Sequence, residues 1–237
     1  MRNPSETICL VTGASSGIGR AVAKALIQQK YTVIATARRT ERLQQLGLPE
    51  KGIYAGDLND PSFQKKMEEG IYNDYGSCDY LFNCAGMVEA GTIEEIDIER
   101  VSSMIRLNIE TTFRLTYAFL KRFKKQGFGH IVNISSVLGT KVRPTAGAYA
   151  ATKYALEALS EALRMELAGS NIAVSCIQPG LVYTEFHDHW ETHPKDSMNI
   201  PDPLTPEDIA DMVRFIMNQP PRIRIPKLMI LPRDHVI

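Results

Sequence analysis

The sequence predicts an α/β fold: a single Rossmann-type domain, built as a doubly wound parallel sheet of about seven strands with helices on both faces. Three observations predict it. Short apolar runs rich in Val, Ile and Leu recur along the 237 residues without the alternation of a half-exposed strand, as strands buried on both faces require. Longer amphipathic stretches separate these runs, the pattern of right-handed βαβ units. A prior of about 150 residues per domain allows one large domain or two small ones. No linker-like segment divides the chain, so one domain is expected over 1–237.

The elements follow in order. TICLVTG (7–13) reads as the first strand and leads through a glycine-bearing turn into a helix at 17–29. YTVIATA (31–37) is the second strand, before a short helix at 40–46, and GIYA (52–55) the third, before a helix at 61–75. DYLFNCAG (79–86) is the fourth, followed by the longest helical stretch, 97–125. GHIVNISS (129–136) is the fifth, and a helix at 149–168 joins it to the sixth, IAVSCIQ (172–178). Helix 205–218 opens on Thr205-Pro206-Glu207-Asp208, which supplies an N-cap, a proline at N1 and first-turn acids. KLMILP (227–232) is the seventh strand. Between the sixth strand and the last helix, 181–204 is rich in His, Asp, Pro and Thr and shows no periodicity. A loop of that length inside a compact domain is more often functional than accidental, and it is read as a lid over a substrate site.

Charge balances, 27 Lys+Arg against 27 Asp+Glu. That excludes a bulk nucleic-acid binder and a polybasic membrane-surface protein, both of which need a basic excess. No run approaches the ~18 apolar residues of a membrane span, and the N-terminal residues lack the pattern of a secretory signal. Cys9, Cys78, Cys84 and Cys176 show no C-x-x-C spacing and read as free thiols of a reducing compartment. The expectation is a soluble, cytoplasmic protein with no nucleic-acid or membrane partner.

Between the first strand and the first helix lies Thr12-Gly13-Ala14-Ser15-Ser16-Gly17-Ile18-Gly19. Glycines at this place let the chain turn tightly and let its N–H groups approach a pyrophosphate, beside the partial positive charge of a helix N-terminus. An NAD site carries an acid about 20 residues further on, for the ribose 2′-hydroxyl. Here Arg38 and Arg39 stand in its place. The expected cofactor is therefore NADP(H), with Arg38 on the 2′-phosphate and Arg39 stacking on or flanking the adenine.

Tyr149 and Lys153 are spaced i, i+4 on one helix face. A tyrosine with a pKa of about 10 is a poor base at neutral pH, and a neighbouring cation favours its phenolate. Ser136 ends the fifth strand, thirteen residues before Tyr149.

With these motifs in place, the sequence resembles the short-chain dehydrogenase/reductase family over nearly its whole length. The glycine turn Thr12 to Gly19 matches, as does Asn83-Cys84-Ala85-Gly86, with a cysteine where the family has its second asparagine. Asp57-Leu58 matches the adenine-contacting pair, Asn108 the helix-kinking asparagine, and Pro179-Gly180-Leu181-Val182-Tyr183-Thr184 the segment around the nicotinamide. The resemblance implies that Tyr149 is the general acid–base. It implies that Lys153 holds the nicotinamide ribose and depresses the Tyr149 pKa, and that Ser136 steadies the substrate oxygen. Asn108 would hold a water linking Lys153 to solvent. Expected against the cofactor are Gly13, Ser15, Ser16, Gly17, Ile18, Gly19, Arg38, Arg39, Asp57, Leu58, Asn83, Ala85, Gly86, Tyr149, Lys153, Pro179, Gly180, Val182 and Thr184. The implied activity is interconversion of a small alcohol and its carbonyl, by a homodimer or homotetramer. VIATARRTERLQQL, PGLVYTEF, LTPEDIADMV and the ending IRIPKLMILPRDHVI look most like the NADP-dependent 3-hydroxy acid (serine-type) dehydrogenase branch, which makes a 3-hydroxy acid a candidate substrate.

The alternatives are a reductase of a bulkier ketone or 3-oxoacyl substrate and a non-catalytic NADP(H)-binding regulator, although a regulator is expected to lose Ser136, Tyr149 or Lys153. Lys141 and Arg143 lie between Ser136 and Tyr149, where either a substrate carboxylate or plain solvent would meet them. His187, His189 and His193 superficially suggest a metal site, but the segment lacks a metalloprotease glutamate and Pro194 is read as ending any helix there. No metal is expected. His130 and His235 carry no assigned role.

Overall fold

A computed structural model describes residues 3–188, 190 and 192–237. Its strands are β1 Ile8–Thr12, β2 Thr32–Ala37, β3 Ile53–Ala55, β4 Tyr80–Asn83, β5 Gly129–Ile134, β6 Ile172–Pro179 and β7 Lys227–Ile230. They form one seven-stranded sheet in the order β3-β2-β1-β4-β5-β6-β7, and every pairing is parallel. The chain winds outward from β1 to β3, then crosses back to β4 and winds out the other way. The reversal between β1 and β4 opens a crevice at the carboxyl ends of the strands, where ligands bind in open α/β sheets.

Two apolar layers explain why the strands are apolar throughout. Val11, Val33, Phe82 and Val132 pack on one face with Val22 and Leu26 of α1 (Gly17–Gln28) and Ile209 and Val213 of α8 (Pro206–Met217). Their chain neighbours Leu10, Ile34, Leu81 and Ile131 turn to the other face. There they meet Met67 of α3 (Pro61–Tyr75), Phe119 and Phe123 of α5 (Thr112–Gln126) and Leu163 of α6 (Gly147–Glu166). A strand side chain alternates between faces, so a sheet covered twice needs an apolar residue at every position. The short α2 (Thr40–Gln44) completes the first half. Thr205 caps α8 through a capping box with Asp208, with Pro206 in the first turn, as the sequence predicts. No helix among the described residues is long and apolar enough to cross a membrane.

Two expectations need correction. The stretch expected as one helix over 97–125 is α4 (Ile98–Ile105), a widened π-helical segment Arg106–Thr111, and then α5. The Thr112 hydroxyl donates to the Leu107 carbonyl five residues back. Asn108, inside the widened turn, spends its amide on Met87 and Thr152. Those tertiary bonds favour the bulge at that point, which periodicity cannot register. Within 181–204, Pro194 does not end a helix but begins one. The short α7 (Pro194–Ser197) starts on it, and the His193 ring accepts a hydrogen bond from the Lys195 N–H as N-cap. Proline suits a first helical position because the N–H it lacks would be unpaired there anyway.

Candidate active site

The glycine turn is built by contact rather than by flexibility alone. Gly13 and Gly17 adopt φ of 66° and 48°. A Cβ on Gly13 would lie 2.9 Å from the Ala85 main chain, and one on Gly19 2.5 Å from the Gly13 carbonyl oxygen. Thr12 draws the ends of β1 and β4 together, its hydroxyl accepting from the Cys84 and Ala85 N–H groups at 3.0 Å each. No side chain caps α1. The first N–H groups of that helix therefore face the crevice with anion-binding capacity.

One cleft of about 1040 Å³ runs from this turn across the strand ends. Gly13, Ser15, Ser16, Gly17, Ile18, Gly19, Arg38, Arg39, Asp57, Leu58, Ala85, Gly86, Ser136, Tyr149, Lys153, Pro179, Gly180, Val182 and Thr184 all line it. Asn83 and Asn108 stand behind its wall. Asn83 is buried, donating to Thr116 and Asn133, and both amide hydrogens of Asn108 are committed to Met87 and Thr152.

At one end the two arginines differ. Arg38 is exposed on the rim, with no ion pair among the described residues. Arg39 reaches the Ser16 hydroxyl at 2.6 Å and the Ser15 hydroxyl at 3.1 Å, and pairs with Glu185 at 3.1 Å. Arg42 holds the same carboxylate at 2.6 Å. Hydrogen bonds from Arg42, and then from Arg39, hold the Glu185 carboxyl below its usual range. Exposed pairs of this kind contribute little stability, so an incoming anion can displace Glu185 at small cost. Arg39, expected to stack on or flank the adenine, is held here by directed hydrogen bonds to the nearby hydroxyls and carboxylate.

At the other end, Ser136 lies two residues beyond β5, where its hydroxyl accepts from the Leu138 N–H. Tyr149 and Lys153 come from the first turns of α6. The Ser136 hydroxyl lies near enough to Tyr149 to favour its phenolate. Ser135 does not join them, its hydroxyl lying against Gly139 without a partner. Lys153 is buried, donates to the Ile134 carbonyl at 2.9 Å and sits 5.7 Å from the centre of the Tyr149 ring.

The electrostatics depart from expectation. Burial pushes the Tyr149 phenol up to about 12, opposed by the Ser136 hydroxyl and the Arg143 charge. The expected lowering by Lys153 is not among the causes. Burial pulls Lys153 down to about 8 from 10.5, opposed by Cys176, Cys84 and Glu157. An ammonium that gives up its charge so readily is a weak electrostatic partner for a phenolate.

This shift links Lys153 to stability. Between about 8 and 10.5 the unfolded chain binds more protons at this residue than the folded one. Stability therefore rises with pH through that window, and the penalty for the buried charge is fully present below it. Lys153→Met is expected to raise the Tm of the cofactor-free protein at pH 7, by roughly 2–4 °C for each kcal/mol recovered in a domain this size. Loss of the bond to Ile134 offsets part of the gain. Thermal unfolding at pH 7 and pH 10 checks it: the gain shrinks at the higher pH, and a variant less stable at both contradicts the buried-charge penalty.

Sequence reasoning missed several lining residues: Phe186, Trp190, Met198, His235 and Val236. Phe186 stacks edge-on to Tyr149 with ring centres 6.5 Å apart. His235, given no role from sequence, accepts from the Leu181 N–H through Nδ1 at 3.2 Å. Phe186, His235 and Val236 fall in segments that resemble the serine-type branch, but no physical signal in the sequence brings these positions to the cleft; they come from 181–204 and the far end of the chain. Of the histidine-rich stretch, His189 and Glu191 lie outside the described residues. The His187 and His193 rings approach to 5.5 Å, and among the described residues no group of three or more His, Cys, Asp or Glu could hold a metal ion.

Comparison with known proteins identifies the family. The family model for short chain dehydrogenase matches residues 7–195. An uncharacterized oxidoreductase of Staphylococcus epidermidis is 33% identical over 236 residues, covering 98% of this chain and 100% of that protein. Among solved structures, the closed form of serine dehydrogenase complexed with NADP+ superposes with a TM-score of 0.86 at 31% identity, covering 94% of each chain. An alcohol dehydrogenase from the archaeon Thermococcus sibiricus, complexed with 5-hydroxy-NADP, gives 0.84 at 26% identity over 98% of each. The chain belongs to the short-chain dehydrogenase family.

Proposed function

We propose that this protein is an NADP(H)-dependent oxidoreductase that interconverts a small alcohol and its carbonyl compound. The observation that carries the reading is the convergence of the Ser136–Tyr149 hydroxyl pair and the Lys153 ammonium on a cleft that opens at its other end on the glycine turn and two arginines. The cofactor named for both solved relatives suits that cleft. The N–H groups of Gly13 to Gly19 and the free N-terminus of α1 accommodate a pyrophosphate, and Arg38 and Arg39 receive the 2′-phosphate in place of Glu185. Asp57 and Leu58 border the adenine, Ala85 and Gly86 the middle of the dinucleotide with Asn83 bracing them, and Pro179, Gly180, Val182 and Thr184 the nicotinamide. Bound there, NADP(H) supplies or accepts the hydride.

The chain's own groups handle the proton. Ser136 Oγ donates a hydrogen bond to the substrate oxygen as negative charge develops on it. Tyr149 Oη gives its proton to that oxygen in reduction and takes it back in oxidation. A phenol held near 12 is fully protonated at neutral pH and is ready to donate in the reducing direction. Lys153, moved from the Ile134 carbonyl to the ribose hydroxyls, brings its charge beside Tyr149. Asn108 braces the wall, so a water relaying protons from Lys153 meets the main chain there rather than a free amide N–H. Exposed Tyr117, Tyr154 and Met165 on α5 and α6 support assembly of a homodimer or homotetramer through those helices. Following the NADPH absorbance band against a panel of aldehydes, ketones and oxo acids tests the reading. Carbonyl-dependent oxidation of NADPH is expected; tight NADPH binding with no turnover of any member would leave a cofactor-binding regulator instead.

A further inference from the structure

Arg143 has no ion pair among the described residues. It lies on the segment between Ser136 and Tyr149 and lines the substrate end of the cleft. Its Nε is buried without a hydrogen-bond partner. Its Nη1 faces the Met198 thioether at 2.6 Å, and a thioether is a weak acceptor. The described side-chain carboxylates lining the cleft are Asp57, beyond β3, and Glu185, which Arg39 and Arg42 already hold. Burying part of a guanidinium without an anion is costly, and burial indeed pulls the Arg143 pKa down. His235 lines the same cleft. Because its Nδ1 accepts a backbone N–H, the neutral ring carries its proton on Nε2, a donor in the same region. Arg143 is near enough to both Tyr149 and His235 to influence their protonation.

We propose that the substrate carries a carboxylate a few atoms from its reacting carbon, and that Arg143 binds this carboxylate in place of the Met198 thioether. The planar fork of a guanidinium matches a carboxylate with two parallel hydrogen bonds, and His235 adds a donor at the rim of the same pocket. The proposal rests on the oxidoreductase reading above for the position of the reacting carbon, and it makes Arg143 the residue that selects hydroxy acids over neutral alcohols.

The test compares 3-hydroxybutyrate with its uncharged methyl ester as substrates with NADP+, for the wild-type protein, Arg143→Met and Arg143→Lys. The wild type is expected to favour the acid. The acid-to-ester ratio of kcat/KM should fall about 100-fold in Arg143→Met, mainly through KM, and less in Arg143→Lys, which keeps the charge but loses the fork. Calorimetric titration of 3-hydroxybutyrate into NADPH-loaded protein, with which it cannot react, supplies a readout independent of turnover. A wild type that turns over neutral alcohols but neither oxidises nor binds the acid overturns the carboxylate site alone. So does a ratio that Arg143→Met leaves unchanged. Acid binding that weakens in Arg143→Met without turnover of any substrate supports the carboxylate site and removes the oxidoreductase reading. Absence of both binding and turnover of the acid overturns the proposal.

Discussion

Replacing Tyr149 with phenylalanine is expected to lower kcat by about a thousandfold, within the 10²–10⁴ range attributed to one positioned proton donor, while the Kd for NADPH changes little. The ring stays, with its edge-on contact to Phe186, and only the hydroxyl, which shares the cleft with Ser136, is removed. Steady-state kinetics and a separate fluorescence titration with NADPH distinguish the two effects. A variant that keeps more than about a tenth of its turnover would move the proton donor elsewhere, since a tenfold loss is only about 1.4 kcal/mol. Weakened NADPH binding with unchanged kcat would instead make Tyr149 a cofactor contact.

The second large effect concerns the choice of cofactor. Changing Arg38 and Arg39 together to alanine is expected to lower kcat/KM for NADPH by about 100–1000-fold, because charge-assisted hydrogen bonds contribute roughly 1.5–3 kcal/mol each. The NADH value should change far less, so the two cofactors approach parity. Arg39 is also tied to Ser15 and Ser16, so part of the loss reflects a less ordered turn. Each single variant should separate the contributions, with Arg38 the cleaner probe because it has no such ties. A wild-type protein that prefers NADH contradicts this assignment.

Much of this architecture is legible because the physics that shapes it is local. The strands are apolar at every position because neighbours such as Leu10 and Val11 face opposite, equally buried layers. The glycine turn shows because close approach to Ala85 and the Gly13 carbonyl excludes any side chain. Ser136, Tyr149 and Lys153 do meet in one cleft. Whatever depends on distant partners was hidden. The π-helical widening at 106–111 goes with the bonds of Asn108 to Met87 and Thr152, which periodicity does not show, although the family resemblance marks Asn108 as a helix-kinking residue. Met198 and His235 reach the cleft from segments whose periodicity and spacing do not predict it. The i, i+4 spacing of Tyr149 and Lys153 suggests a lowered phenol pKa. Burial reverses that result, and Lys153 turns to the Ile134 carbonyl instead. Spacing locates two groups; it does not weigh desolvation against a charge.

Hydride transfer at the Tyr149 end of the cleft separates an oxidoreductase from a protein that only binds the cofactor. Its most direct measurement uses NADPH dideuterated at the nicotinamide C4 with a carbonyl substrate, reading the alcohol product by mass spectrometry. The expected product carries a single deuterium on the carbinol carbon, and its formation collapses in Tyr149→Phe. An alcohol formed without deuterium, or undiminished labelling in Tyr149→Phe, would contradict the account.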